Sequence, residues 1–396
     1  MTLTLFDRFA VSGTDRGVAG YVLGSLCVAR NARERAWRQA LALAPRGWST
    51  RLLDAADRQP LPDLTEVGAG HLSGRRTERW VLMKNSLGGG VAFLFDGARD
   101  EPMTVLKIRP ARGAGPRLES EARHLRWLAS VLPPALAATV PSPLAHVHEN
   151  GEEFLWLSVV PGRSAYADLH RDFAPRLHVG RHFAGAARWL AAFHVATRPH
   201  QDTPVDIHRL LEDVLTRAGA GAQESRAAWV DVLRARWAHA PVARAASHGD
   251  FWTRNVHFPA GGGDRVVGVV DWEHFQPAAL PSGDLFQFAL TYGESYPWAR
   301  YRRVDRVTAF ARTFLSETHV SRHVVRYLRD YAGRTGLDAA LLRPLCHLFL
   351  LTRAAGDPAR PAPGSRESWL DLHRLLAGAR ASVFERVQPS GGTTHG

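Results

Sequence analysis

The chain has 396 residues, 45% hydrophobic and 22% charged, which is long enough for two or three domains with a true core. Its two cysteines, Cys27 and Cys346, form no Cys-x-x-Cys pair, so a disulfide framework or a cysteine zinc site is disfavoured and a reducing compartment is expected. Fifty Lys+Arg against 38 Asp+Glu give a net charge of +12, but the arginines are scattered, without a long basic run or zinc-finger spacing. That pattern favours a solvated, arginine-biased surface over a nucleic-acid partner.

Lys84 and Lys107 are the only lysines; every other cation is arginine. An arginine in this chain therefore needs no special explanation, whereas a lysine does. The apolar stretch over residues 17–29 falls short of the roughly 20 residues that a membrane span requires. It also has no basic segment before it, so neither a span nor a signal peptide is expected. The expected location is the cytoplasm.

In chain order, residues 29–44 carry helical spacing and end at Pro45-Arg46-Gly47, while the rest of residues 1–75 gives no clear pattern. Strand-like runs follow at 80–84, 91–95 and 103–108, the first two separated by Asn85-Ser-Leu-Gly-Gly-Gly90. Leu118, Ala122, Leu125 and Leu128 then repeat at helical spacing. Another strand-like run, 154–160, ends at Pro161-Gly162. Helical patterns dominate beyond that point, over 182–196, 205–218, 225–239, 302–316 and 321–334, with a late one through Leu341, Leu345 and Leu348. A β-rich island over 246–275 interrupts them, and 388–396 reads as a disordered tail.

The island contains Ser247-His-Gly-Asp-Phe-Trp-Thr-Arg-Asn255, a strand, a glycine turn over 261–264, and Arg265-Val-Val-Gly-Val-Val270 followed by Asp271-Trp-Glu273. A hairpin of this shape returns Asp271 to the neighbourhood of Asn255, with Asp250 on the loop before it. A carboxylate after a run of valines is costly without a positive partner. An Asp and Asn oxygen set with room for water suits Mg²⁺. Taken alone, Asp250 and Asn255 serve equally well as loop caps.

His248-Gly-Asp250 with Asn255, followed by Asp271-Trp-Glu273, resembles the aminoglycoside phosphotransferase and choline kinase-like family, relatives of the protein kinases. The resemblance implies a two-lobed, kinase-like α+β fold, with a small β-rich N-lobe and a larger, mainly helical C-lobe. It implies that Asp250 is the catalytic base for an acceptor hydroxyl, that Asn255 and Asp271 hold Mg²⁺, and that Asp284 of Pro281-Ser-Gly-Asp284 braces the catalytic loop. A lysine on the third strand and a helix glutamate should hold the α- and β-phosphates of ATP, which selects Lys107 and Glu121, with Glu119 as competitor. Arginine is a poor substitute for that lysine. Ser86, Gly88 and Gly89 fall where a phosphate-covering loop belongs, and Val159, within the 158–162 hinge, falls where backbone groups meet adenine. Neither lysine sits in a Walker-type setting.

The expected organisation is an extension of unresolved role over 1–75, a nucleotide-binding lobe over 76–160, a catalytic and substrate-binding lobe over 161–387, and the tail. The expected activity is transfer of the γ-phosphoryl of ATP to a hydroxyl of a sugar, polyol or natural product, aminoglycosides included, without nucleic acid or membrane as partner. The overall basic charge tilts the acceptor toward a neutral or anionic molecule, although Asp202, Asp206, Glu212 and Asp213 could form an acidic rim. Two other readings stand beside this one. A catalytically silent kinase-like module should lack one of Lys107, Asp250, Asn255 or Asp271. A basic nucleic-acid or acidic-polymer binder should show steeply salt-dependent retention. Arg254, Trp252 and Glu273 are left between substrate contact and structural duty, and His194 and His257 are read as structural.

Overall fold

The computed structural model describes residues 2–5, 9–12, 21, 79–84, 89–96, 101–110, 117–149, 151–171, 174–199, 205–219, 227–239, 241–298, 304–356 and 365–388. The helix expected over 29–44, the loop residues Ser86 and Gly88, Asp202 and residues 389–396 of the tail lie outside them. The chain divides into two units, Met1–Ser130 with Ala138–Pro161, and Val131–Ala137 with Gly162–Gly396.

The first unit is an antiparallel sheet. Its strands are β1 (Thr2–Leu5), β2 (Phe9–Ser12), β3 (Arg79–Lys84), β4 (Gly90–Phe95), β5 (Pro102–Pro110), β6 (Pro143–Glu149) and β7 (Glu152–Ser158), in the order β1-β2-β3-β4-β5-β7-β6. Helix α1 (Leu118–Val131) follows β5. The alternation along β5 explains its two faces. Thr104, Leu106 and Ile108 are buried while Met103, Val105 and Lys107 are less so. Leu106 and Ile108 join Trp80, Leu82, Ala92, Leu94, Phe154 and Trp156 in one apolar cluster, leaving Lys107 on the opposite face.

Two features depart from the expected β-β-β-α-β order. Strands β1 and β2 lengthen the sheet beyond β3, with Phe9 opposite Met83 and Val11 opposite Val81, and Tyr21 packs its ring against Phe93 and Phe95. Strand β6 is also additional. Its proline, two histidines and mixed burial hide it in the sequence, and its place at the sheet edge is what tolerates Pro143.

The second unit is mainly helical. It contains α2 (Pro134–Ala137), the short strand β8 (Arg163–Ser164), α3 (Ala165–Arg171), α4 (Arg176–Ala196), α5 (Ile207–Ala218) and α6 (Ala227–His239). The island follows as β9 (Ala245–Ser247), β10 (Val256–Phe258), β11 (Gly268–Val269) and β12 (Gln276–Ala279). Then come α7 (Ser282–Ser295), α8 (Arg306–Phe310) with a π turn over Ala311–Leu315, α9 (His319–Thr335), α10 (Leu342–Ala355), α11 (Arg366–Gly378) and α12 (Val383–Val387). Helix α4 begins six residues before the expected start, because Leu177, His178 and Gly180 give that first stretch little apolar signal. Trp189 and Phe193 of α4 stack with each other, and Phe251 and Trp272 from the island pack onto them. This aromatic layer is the floor on which the loop from His248 to Asn255 rests. No helix among the described residues is long and apolar enough to cross a membrane.

Candidate active site

In the second unit the site is built from the ends of short strands. Strand β9 delivers the chain to His248, and Gly249 turns it at φ 79°. No side chain fits at that position, since a Cβ would lie 2.2 Å from the carbonyl oxygen of His274. Asp284, buried at the start of α7, accepts the N–H of His248 at 2.7 Å and that of Gly249 at 3.0 Å. Burial pushes the Asp284 carboxyl upward, but His194, 3.7 Å away, and the His248 N–H hold it below the ordinary carboxylate range. His194 itself bonds Tyr331 at 2.8 Å, a structural role.

The tautomer of His248 follows from its partners. Nε2 faces the Val270 carbonyl at 3.0 Å, so it carries the hydrogen. Nδ1 accepts the Asp250 N–H at 3.2 Å, so it is bare. Burial keeps the ring below the usual imidazole range. His248 is thus a neutral spacer that ties the loop to the hairpin.

Asn255 donates from Nδ2 to the Asp250 carbonyl at 3.0 Å and to its carboxylate at 3.3 Å. Across the hairpin, Val256 pairs with Val269, and the Val270 N–H reaches the Asn255 carbonyl at 3.0 Å. Asp271 is the next residue, so the hairpin brings it to the Asp250–Asn255 junction as its spacing predicts. Asp271 is also the only non-glycine among the described residues with positive φ, at 70°. Such backbone costs of order 1 kcal/mol or more and tends to occur where a side chain must be aimed. Burial, and then the charge of Asp271, raises the half-buried Asp250 carboxyl to about 7, with the Arg353 guanidinium acting in the other direction. Two carboxylates and a carboxamide oxygen set, with negative charge in excess, are donors that fit a hard divalent cation.

In the first unit, Lys107 of β5 places Nζ 2.7 and 2.8 Å from the two oxygens of Glu121 on α1. Glu121 is buried and Lys107 nearly so. Glu119 takes no part in this pair, and its backbone N–H goes to Glu153. Gly89 is buried beside β4, and Val159 follows β7 half-buried. The Ser158 N–H is taken by the Ser142 carbonyl at 2.9 Å, so it is not one of the hinge groups that could meet adenine.

The remaining residues sort by their contacts. Arg254 lies exposed with its guanidinium 4.0 Å from the Tyr166 ring centre. Glu273 sits 3.5 Å from His274, and Trp252 is half-buried. Two of the four candidate rim acids are engaged locally, Asp206 accepting the Arg209 backbone N–H as the cap of α5 and Asp213 paired with Arg217 at 2.7 Å. Sequence reasoning missed a cavity of about 350 Å³ in this unit, bounded by Gly249, Asp284, Gln287, Arg244 and Arg353. No signal could have selected those two arginines among so many.

Residues 88–280 match the model of the phosphotransferase enzyme family. No curated protein sequence matches the chain. Among solved structures, the chain is similar to aminoglycoside phosphotransferase APH(3'')-Id from Streptomyces rimosus, at 19% identity over 74% of this chain and 99% of that one, with TM-score 0.42. It is also similar to an aminoglycoside-3'-phosphotransferase of type VIII, at 18% identity over 79% and 98%, with TM-score 0.41. A third similar structure is aminoglycoside 2'-phosphotransferase-IIIa in its GDP complex, at 9% identity over 81% and 97%, with TM-score 0.47. Over residues 88–280 the chain is thus similar to the phosphotransferase enzyme family, and that similarity falls on the antiparallel-sheet unit and on the mainly helical unit described above.

Proposed function

We propose that this chain is a cytoplasmic, ATP- and Mg²⁺-dependent phosphotransferase that moves the γ-phosphoryl group to a hydroxyl of a small molecule. The observation that carries the reading is the junction of Asp250 and Asn255, with Asp271 delivered beside it by the hairpin. Asp250 orients the acceptor hydroxyl and takes its proton. Asn255 fixes the direction of the Asp250 side chain and, with Asp271, would hold Mg²⁺. When bound, the ion supplies positive charge to the phosphate oxygens. Lys107, held by Glu121, positions the α- and β-phosphates; Ser86, Gly88 and Gly89 cover them, and Val159 meets the adenine. Catalysis of this kind rests on positioning and electrostatics, without a covalent intermediate on the protein.

The presence of Lys107, Asp250, Asn255 and Asp271 together argues against a silent module. The test is transfer of labelled γ-phosphate from Mg·ATP into sugars, polyols, choline-like alcohols, hydroxy acids and aminoglycosides, alongside Asp250→Ala and Asp271→Asn. Label in one acceptor class, absent with both variants, is the expected result. A wild-type chain that neither binds Mg·ATP nor transfers label would overturn the reading.

A further inference from the structure

The cavity beside the catalytic loop has an unusual electrostatic character. Its wall includes the Gly249 backbone, so it opens next to Asp250, and its volume of about 350 Å³ lies at the small end for ligand sites. One side is apolar, formed by Leu280, Leu348 and Phe349 among others. The other carries Arg244, ahead of β9, and Arg353, in the last turn of α10.

Neither guanidinium is in an ion pair or donates a hydrogen bond among the described residues, and the Nε of each is buried without a partner. This sets them apart from the surface arginines, many of which pair, such as Arg217 with Asp213 or Arg374 with Glu367. The Arg353 head lies 5.3 Å from the Trp369 ring centre, which directs it without neutralising it. Burial lowers its pKa, the Asp250 charge raises it, and the nearby Arg306 lowers it further. Arg306 is itself bonded to Glu294.

The one carboxylate on the cavity wall is Asp284, and its oxygens already accept the His248 and Gly249 N–H groups. On the wall itself two cations face one committed anion; Asp250 and Glu294 act on Arg353 from farther off without bonding it. Gln287 adds a buried Oε1 without a partner, an acceptor suited to a ligand hydroxyl. Guanidinium donors in a partly apolar, desolvated wall bind planar or tetrahedral oxyanions strongly, and a polycation would meet like charge there.

We infer that the acceptor bound in this cavity is a small hydroxylated molecule bearing an anionic group, a carboxylate or a phosphate ester, that Arg353 and Arg244 clasp while its hydroxyl is offered to Asp250. This assignment rests on the phosphotransferase reading for its hydroxyl chemistry, but the anion site stands on the cavity alone.

The test uses the full chain and saturation-transfer NMR with a set of hydroxylated carboxylates, each paired with its primary amide, plus sugar phosphates paired with the free sugars and kanamycin as a polycation. At least one anion should bind ten-fold or more tightly than its neutral partner. Arg353→Gln and Arg244→Gln should each remove most of that difference, while Arg353→Lys should retain part of it. A melting temperature and ATP affinity close to wild type show that the variants are folded. Equal binding of anion and neutral partner, preference for kanamycin, or no anion bound would overturn the inference. Failure to bind Mg·ATP with the anion preference intact would instead overturn the phosphotransferase reading and leave the anion site standing.

Discussion

Asp284 accepts the backbone N–H of His248 at 2.7 Å from 36 residues further along the chain. With Gly249 as its second donor, this one carboxylate closes the loop that presents Asp250. Asp284→Ala would strand two N–H groups in a buried setting, each costing about 1–3 kcal/mol. We expect a loss of about 2–4 kcal/mol in urea unfolding, together with loss of phosphoryl transfer. Wild-type stability in this variant would refute the bracing role.

Gly249→Ala tests the same loop through its backbone. Positive φ alone costs an L-residue about 1–2 kcal/mol, and the approach to the His274 carbonyl leaves no room for a Cβ. A loss of at least ~2 kcal/mol is expected. Gly263→Ala serves as control, with φ 120° but no atom closer than 3.5 Å to an added Cβ, and it should cost less.

On the proposed reading, the Lys107–Glu121 pair serves position more than stability. Lys107→Met takes the cation away from a buried carboxylate, with an expected cost of about 3 kcal/mol. The Lys107→Met/Glu121→Leu double variant should recover most of this in chemical denaturation. Its kcat/KM for ATP should still fall by roughly 10²–10³-fold. Recovery of activity with stability would show that the pair is structural only.

The hairpin was legible in the sequence for physical reasons, since a glycine turn between short apolar runs specifies the return that places Asp271. Lys107 and Glu121 came from the family resemblance, to which the rarity of lysine in a chain that writes arginine almost everywhere added weight. Asp284 was reachable only through the family resemblance, because nothing local distinguishes it from a helix-start carboxylate. Strand β6 was hidden by Pro143 and its histidines, and β1 and β2 by their separation from β3 along the chain. Arg353 and Arg244 could not be found, since their distinction is the absence of an ion pair or hydrogen bond among the described residues, which only folding reveals.

His347 and His373 face each other with their Nδ1 atoms 3.0 Å apart, both rings buried. One Nδ1 must carry a hydrogen and the other must not, so at least one ring is neutral, and burial disfavours charge on the second. Burial lowers His373 to about 4, and burial together with its neighbour's charge lowers His347 further. In the unfolded chain both titrate near ~6.5. As pH falls below that value the unfolded state takes up more protons, so stability is lost on acidification, with a slope of ~1.4 kcal/mol per pH unit for each histidine. The His347→Leu/His373→Leu variant should flatten unfolding free energy between pH ~6 and ~4 by nearly two protons' worth. An unchanged slope would mean that the pair is not neutral when folded.

Strand β3 is an interior strand only because β2 lies along its outer side, Phe9 to Val11 opposite Met83 to Val81. Without residues 1–12, a six-residue strand containing Trp80, Val81 and Leu82 would present unpaired backbone along the rim of the sheet, a template for pairing with another chain. The β1–β2 hairpin covers that rim of β3. A trimmed chain should be recognised first by its tendency to aggregate, ahead of any change in the chemistry it performs.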